Sequence, residues 1–153
     1  LKVKMLTLHI LGDEEMIKAA VFAARDEAKR SGVKRPLLIG VTVLTSKETK
    51  SSDVLTLARI GIECGLDGVV CSAQEVKMLK EKIKRKFIIV TPGIRPRGSS
   101  VNDQKRTATI SEAVKAGSSF LVVGRPILDA KDQNAAAREM AGEIDDRRDK
   151  RPN

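Results

Sequence analysis

The chain has 153 residues, 41% of them hydrophobic, which suffices for the core of one ordinary domain and excludes a disordered tail. Its 29 Lys and Arg against 20 Asp and Glu give a net charge of +9, which favours an anionic partner. With three Phe, no Tyr and no Trp, the sequence offers no stacking platform for single-stranded bases, so we expect no nucleic-acid partner.

Short runs rich in Val, Ile and Leu alternate along the chain with stretches of helical spacing. The predicted strands are residues 3–11, 37–44, 68–72, 87–91 and 119–124, and the predicted helices are residues 13–30, 53–64, 73–85, 110–117 and 132–147. Continuous apolar strands separated by helices are typical of a parallel sheet covered by helices. The predicted fold class is therefore α/β, with five βα units.

The number of units bears on the architecture. A closed (β/α)8 barrel needs eight βα units in about 250 residues, so five units would leave it three strands short. We predict that residues 1–144 form the C-terminal part of one phosphate-binding β/α barrel domain, whose open edges would make it aggregation-prone. Residues 145–153 (DDRRDKRPN) have no apolar face and are predicted to be a charged, solvated tail. Because residue 1 is Leu and the first strand is already under way at residue 3, we expect a longer gene product.

The cysteines and the apolar runs argue against several kinds of site. Cys64 and Cys71 lack metal-ligand spacing and are interpreted as buried, reduced thiols, so we expect no metal site. The longest apolar stretches are far short of a membrane span, and the start has no signal-peptide pattern. These features predict a cytoplasmic protein with no membrane partner.

A basic loop follows the fourth predicted strand. Residues 90–106 (VTPGIRPRGSSVNDQKR) lead away from it, and the fifth strand is followed by Gly124 and Arg125. In phosphate-binding barrels the anion lies where the loops after the last two strands meet. Gly124 would let the backbone approach the oxygens closely, and Arg125 could donate a bidentate pair of hydrogen bonds. Arg97 and Arg106 are expected to be solvated charges that do not bind the anion.

Several motifs, in this order, resemble those of the bacterial type of orotidine 5'-phosphate decarboxylase. They are VTVLTS at 41–46, GLDGVVCSA at 65–73, TPGIR at 91–95, DQ at 103–104 and VGRP at 123–126. The similarity extends from about residue 3 to about residue 140. Such spaced motifs matching together are more specific than any one of them alone.

The resemblance implies a (β/α)8 barrel, usually a homodimer, that converts orotidine 5'-phosphate to UMP without metal or organic cofactor. It places Arg95, Gln104, Gly124 and Arg125 on the substrate's phosphate. The side chain of Gln104 also reaches the pyrimidine. It also implies that Thr45 and Ser46 line the nucleotide and base pocket, and we include Pro92 of the TPGIR motif among the substrate-binding residues. The loop 93–106 would close over the phosphate.

The catalytic groups of that family have no match in this sequence. The family uses a Lys on an early strand and an Asp-x-Lys-x-x-Asp motif, so no residue of this chain is assigned a catalytic role. Residues 129–134 (DAKDQN) superficially resemble the motif, but Asn134 stands where its last Asp should be, and we interpret the segment as a helix lead-in. The connection from Ser46 to Gly65 is also shorter than usual, which suggests that pieces of the sequence are missing.

Three further polar residues have structural interpretations. His9, the only His, is near the end of the first strand, where an active-site role is possible, but we favour a packed, hydrogen-bonded side chain. Asp67 lies in a turn, and Asp103 is expected to order the loop that contains it.

Two other functions stay open. Another phosphate-binding barrel enzyme, such as a sugar-phosphate epimerase or lyase, would use the same Gly-Arg pair but has no reason for a Gln that bridges phosphate and base. A non-catalytic basic module would bind nucleic acid with an affinity that falls steeply with salt.

Overall fold

A computed structural model describes residues 3–43, 50–96 and 106–148, the last three by their backbone alone. Its elements, in chain order, are β1 (Met5–His9), α1 (Glu14–Arg30), β2 (Leu37–Val41), α2 (Ser51–Glu63), β3 (Gly68–Val70), α3 (Ala73–Lys82), β4 (Ile88–Thr91), α4 (Ile110–Ala116), β5 (Phe120–Leu121), α5 (Arg125–Leu128) and α6 (Gln133–Arg148). All five predicted strands and all five predicted helices are confirmed. The short helix α5 was not predicted.

The strands form one parallel sheet in the order β1-β2-β3-β4-β5. Each helical connection therefore leads to the next strand along the sheet. A doubly wound sheet reverses its strand order at some point, whereas a (β/α)8 barrel never does. The observed order is that of five consecutive units of a barrel, which confirms the predicted α/β class.

Local sequence explains where the helices begin and end. Asp13 caps α1 by accepting a hydrogen bond from the Met16 amide at 2.6 Å, and acidic residues occupy the first turn while basic residues occupy the last. Thr109 and Glu112 form a reciprocal capping box at the start of α4. Asp132 Oδ1 accepts from the Ala135 amide at 2.9 Å, so the predicted helix lead-in at 129–134 is confirmed. Helix α6 continues to Arg148, into the segment predicted as a tail.

The apolar side chains form two clusters. The larger one packs the helices α1, α2 and α3 against the sheet through fully or nearly fully buried residues such as Ile17, Val54, Val76, Val69 and Ile89. The smaller one joins Ile94, which follows β4, to Ile110, Ala113 and Val114 of α4, with Ile144 of α6 beside them. The second cluster therefore anchors the segment after β4 to the helices that come later in the chain.

An ion pair lies at the amino-terminal edge of the sheet, where the strands begin. Arg35 Nη1 and Nη2 donate to Asp67 Oδ2 and Oδ1 at 2.8 and 2.7 Å, and Asp67 Oδ2 also accepts from the Leu38 amide at 2.7 Å. The Arg35 guanidinium, hydrogen-bonded to the carboxylate, holds the Asp67 pKa below its usual range. Asp67 therefore joins the turns that lead into β2 and β3, which confirms its structural interpretation.

The two outer strands leave apolar side chains in solvent. Leu6 on β1, Phe120 on β5 and Val122 just beyond β5 are exposed large hydrophobic residues. Within the described part of the chain, no helix is both long enough and apolar enough to cross a lipid bilayer.

Candidate phosphate-binding site

The carboxyl ends of all five strands lie along one edge of the sheet, because the strands are parallel. Thr42 follows β2, Cys71 and Ser72 follow β3, and Pro92 follows β4. Thr42 is fully buried and its hydroxyl donates to the Val70 carbonyl at 2.8 Å. This edge therefore has a rigid frame, and ligands of barrel enzymes bind at this edge.

The segment after β4 is tied to the segment before α4 by backbone hydrogen bonds. The Ala108 amide donates to the Gly93 carbonyl at 3.2 Å, and the Arg95 amide donates to the Ala108 carbonyl at 2.9 Å. Gly93 has a φ of 76°, which favours glycine, and Ile94 beside it is completely buried. We call residues 93–95 and 106–108 the loop neck, because the basic segment between them begins and ends there.

Two predicted substrate-binding residues lie on or beside this neck, and one of them, Arg95, is a predicted phosphate ligand. Pro92 is half-buried directly after β4, and Arg95 is half-buried with its Nη1 donating to the Ile94 carbonyl at 2.8 Å. One guanidinium nitrogen is thus used to orient the side chain against the neck. A guanidinium at this position can donate charge-assisted hydrogen bonds to a phosphate.

The other two described ligands follow β5, the neighbour of β4 in the sheet. The Val122 amide donates to the Thr91 carbonyl at 2.9 Å, which holds the two strand ends together. Gly124 precedes α5, and its carbonyl accepts from the Ile127 amide at 2.9 Å. Arg125 is half-buried in the first turn of that helix.

No packing contact among the described residues explains the glycine at position 124. Its φ is −109°, outside the left-handed region that favours glycine. A Cβ atom added there would meet none of the described atoms within 4 Å. Gly124 therefore lies beside open space, in contrast to Gly68, where a Cβ would overlap the Ile88 backbone.

Arg106 corrects one prediction from the sequence. It was expected to be solvated, but its side chain is only 12% exposed and forms an ion pair with Glu75 of α3, which is 6% exposed. Burial raises the Glu75 pKa, although the positive charge of Arg106 opposes that effect. The prediction was wrong because the partner lies 31 residues earlier in the chain.

Sequence reasoning also missed Glu75, although a signal was present. Glu75 lies one residue before Val76 and four before Leu79, and both of these are completely buried. A carboxylate on the core-facing side of a helix needs a cation or several donors nearby. That spacing alone would have predicted a buried ion pair, but not its partner.

The two thiols differ in burial. Cys71 is buried and Cys64 is half-buried, and both are free. Burial, together with the nearby charge of Glu75, raises the pKa of the Cys71 thiol far above its usual range. Cys71 is thus an inert neighbour of the Glu75–Arg106 pair rather than a nucleophile.

His9 also differs from its prediction. It ends β1 at the same edge of the sheet, but its side chain is exposed instead of packed. The reason is that β1 is an outer strand of the described sheet, with a neighbour on one side only. The described residues contain no group of three His, Cys, Asp or Glu side chains that could hold a metal ion.

The structure thus places Pro92, Arg95, Gly124 and Arg125 on two adjacent strand ends. Thr45, Ser46 and Gln104 lie outside the described residues, as do Arg97 and Asp103. Their predicted roles stay predictions.

Comparison with known proteins identifies the family. The sequence profile of the orotidine 5'-phosphate decarboxylase / HUMPS family matches residues 1–140. The orotidine 5'-phosphate decarboxylase of Hydrogenovibrio crunogenus is 47% identical over 151 residues, and that of Moorella thermoacetica is 42% identical over 157 residues. The matches cover 92% and 95% of this chain but 62% of either relative, so the chain spans about three fifths of their length.

Solved structures agree on the fold. The crystal structure of orotidine 5'-phosphate decarboxylase from Lactobacillus acidophilus is 38% identical with a TM-score of 0.74, over 90% of this chain and 62% of that one. An uncharacterized conserved protein from Geobacillus kaustophilus is 29% identical with a TM-score of 0.73, over 92% of this chain and 63% of that one. The observed sheet is accordingly part of a (β/α)8 barrel. The chain belongs to the orotidine 5'-phosphate decarboxylase / HUMPS family.

Proposed function

We propose that this chain carries the nucleotide- and phosphate-binding part of an orotidine 5'-phosphate decarboxylase, which makes UMP in pyrimidine biosynthesis. The observation that carries the proposal is the placement of Arg95 and Gly124-Arg125 at neighbouring strand ends, beside the open space at Gly124. Relatives that are 42–47% identical carry this enzyme's name.

The proposed roles follow the chemistry of a phosphate dianion. Arg125 and Arg95 donate charge-assisted hydrogen bonds to its oxygens, and Gly124 lets the backbone approach closely. Gln104 bridges the phosphate and the pyrimidine, Thr45 and Ser46 line the base pocket, and Pro92 shapes the floor beside β4. Binding energy from the unreacting phosphate is then available to organise the transition state.

The reaction breaks the bond between C6 of the pyrimidine and the carboxyl carbon. The electron pair stays on C6 and is then protonated, so a proton donor and fixed charges near the departing carboxylate are required. No side chain of this sequence is assigned to those steps. We therefore expect the 153 residues by themselves to bind the nucleotide but not to decarboxylate orotidine 5'-phosphate, which an ultraviolet absorbance assay would measure.

A ligand screen tests the proposed function. Calorimetric titrations of the chain with UMP, ribulose 5-phosphate and a single-stranded oligonucleotide are expected to rank UMP first. Tighter binding of ribulose 5-phosphate would favour a sugar-phosphate enzyme. Binding of the oligonucleotide alone, with a steep salt dependence, would contradict the proposal in favour of a basic module.

Assembly and location are part of the same proposal. We propose a homodimer in the cytoplasm that needs no metal and no organic cofactor, as the resemblance to the family implies. Light scattering of the purified protein and activity measured in the presence of a metal chelator would check these points.

A further inference from the structure

We infer that Glu75 and Arg106 are positioning residues for the phosphate site, acting through the loop neck rather than on the ligand. The inference rests on the proposed function and extends it to two residues on either side of the neck. Arg106 is the first described residue after the segment 97–105, and Glu75 lies in the first turn of α3.

The contact between Glu75 and Arg106 lies beside the loop neck. Arg106 lies two residues before Ala108, which makes both backbone hydrogen bonds of the neck. Glu75 belongs to a helix whose start is fixed by Ser72, because the Glu75 amide donates to the Ser72 carbonyl at 3.1 Å. The ion pair therefore attaches residues 106–108 of the loop neck to helix α3, which follows β3.

The loop neck also carries a predicted phosphate ligand, Arg95. The Arg95 amide bonds to Ala108, and the Arg95 guanidinium is oriented by the Ile94 carbonyl. Any shift of residues 106–108 therefore moves Arg95 relative to Gly124 and Arg125. A displacement of about 1 Å at a binding group is enough to weaken a site substantially.

The burial of the Glu75–Arg106 pair is costly in free energy. The pair is buried, and Oε2 of Glu75 has no hydrogen-bond partner among the described residues. A buried ion pair seldom maximises stability, since apolar side chains of similar volume often serve as well or better. A fixed geometry at the neck is a function that apolar side chains would not supply.

The experiment compares three variants of the full chain with wild type. Glu75→Gln removes the negative charge, and Glu75→Met with Arg106→Met replaces the pair by apolar side chains. Asp67→Asn perturbs the half-buried Arg35–Asp67 ion pair at the opposite edge. Each protein is measured by thermal unfolding, by calorimetric titration with UMP, and by amide hydrogen exchange of Arg95 and Ala108 without ligand.

The expected result separates positioning from stability. Both Glu75 variants should weaken UMP binding on the order of tenfold and should speed exchange at the Arg95 and Ala108 amides. The double variant should do so while its melting temperature stays at or above that of wild type. Asp67→Asn should lower the melting temperature and leave both the affinity and the exchange of these amides unchanged.

Two results would overturn the inference. Wild-type affinity and wild-type exchange in the double variant would show that the pair only fills space. Tighter UMP binding by Glu75→Gln would show that Arg106, once released, binds the phosphate itself. Absence of UMP binding by wild type would instead contradict the proposed function, and the exchange measurement would still test the neck.

Discussion

The two edges of the sheet each contain a partly or fully buried ion pair, and the two pairs differ in almost every respect. Arg35 and Asp67 at the amino-terminal edge are 24% and 20% exposed, and the Asp67 carboxylate accepts three hydrogen bonds. Glu75 and Arg106 at the carboxyl edge are more deeply buried, and one Glu75 oxygen has no partner among the described residues. The pKa of the acid is lowered in the first pair and raised in the second.

The difference indicates that the two ion pairs have different roles. In the first pair the Asp67 carboxylate accepts hydrogen bonds from Arg35 and from the Leu38 amide and joins two turns, so the pair stabilises the fold. In the second pair one Glu75 oxygen has no hydrogen-bond partner among the described residues, and the pair lies where the ligand is expected to bind. Barrel enzymes generally place stability at the amino-terminal face and function at the carboxyl-terminal face. The following predictions test whether this chain does the same.

The largest expected effect is on binding at the carboxyl edge. Arg125→Ala should weaken UMP binding by about 2–4 kcal/mol, because a charge-assisted bidentate contact is lost. Calorimetric titration measures the effect, and Arg59→Ala, which removes an exposed Arg from α2, serves as the control. Equal losses in both variants would point to diffuse electrostatics and would remove Arg125 from the site.

The next effect is on stability at the amino-terminal edge. Asp67→Asn should lower the free energy of unfolding by about 1.5–3 kcal/mol, because hydrogen bonds to a charged group are weakened and Arg35 loses its counter-ion. Chemical denaturation measures the change. UMP affinity should stay as in wild type, and a parallel loss of affinity would contradict the separation of the two edges.

A pair of glycine substitutions gives a smaller and more selective contrast. Gly124→Ala and Gly142→Ala both add a methyl group where the described chain leaves open space. Gly124→Ala should weaken UMP binding by about 1 kcal/mol or more by crowding the phosphate. Gly142→Ala, on an exposed position of α6, should leave binding unchanged and raise stability by about 0.5–1 kcal/mol through helix propensity. Equal affinities for UMP in the two variants would place the ligand elsewhere.

The smallest effect is a pH dependence of opposite sign at the two edges. The Asp67 pKa is lowered on folding. Its contribution to the free energy of unfolding is therefore present above the unfolded pKa of about 3.9 and is lost as the pH falls through the folded pKa. The Glu75 pKa is raised, so stability falls as the pH rises from about 4.3 to the folded value.

Unfolding curves of wild type, Asp67→Asn and Glu75→Gln between pH 3 and pH 7 would check both signs. The difference between wild type and Asp67→Asn should shrink below about pH 4. The stability of wild type relative to Glu75→Gln should decrease from about pH 4 upward until Glu75 is ionised. A flat difference for either variant would contradict the corresponding assignment.

Much of the fold could be predicted from the sequence, because each element is set by local residues. The alternation of apolar runs and helical stretches predicted all five strands. Helix starts are likewise set locally: the capping box of Thr109 begins α4, and Asp132 caps α6. The helix α5 was missed because it has only four residues and begins with Arg125-Pro126, which reads equally well as a turn.

The candidate site could be proposed only in part from the sequence. Gly124 and Arg125 could be proposed because they lie at the end of a predicted strand and directly after it, and strand ends converge in a parallel sheet. The burial of Arg106 could not be predicted, because it depends on Glu75. That residue lies 31 positions earlier in the chain, and only the fold brings the two side chains together. The exposed position of His9 depends likewise on β1 being an outer strand of the described sheet.

Amide hydrogen exchange of the chain with and without UMP tests the central claim most directly, because it reports both edges at once. The account predicts that UMP slows exchange at residues 93–95 and 122–125 and leaves the amides of Asp67 and Leu38 unchanged. Protection at the Asp67 edge, with none at Gly124 and Arg125, would contradict it.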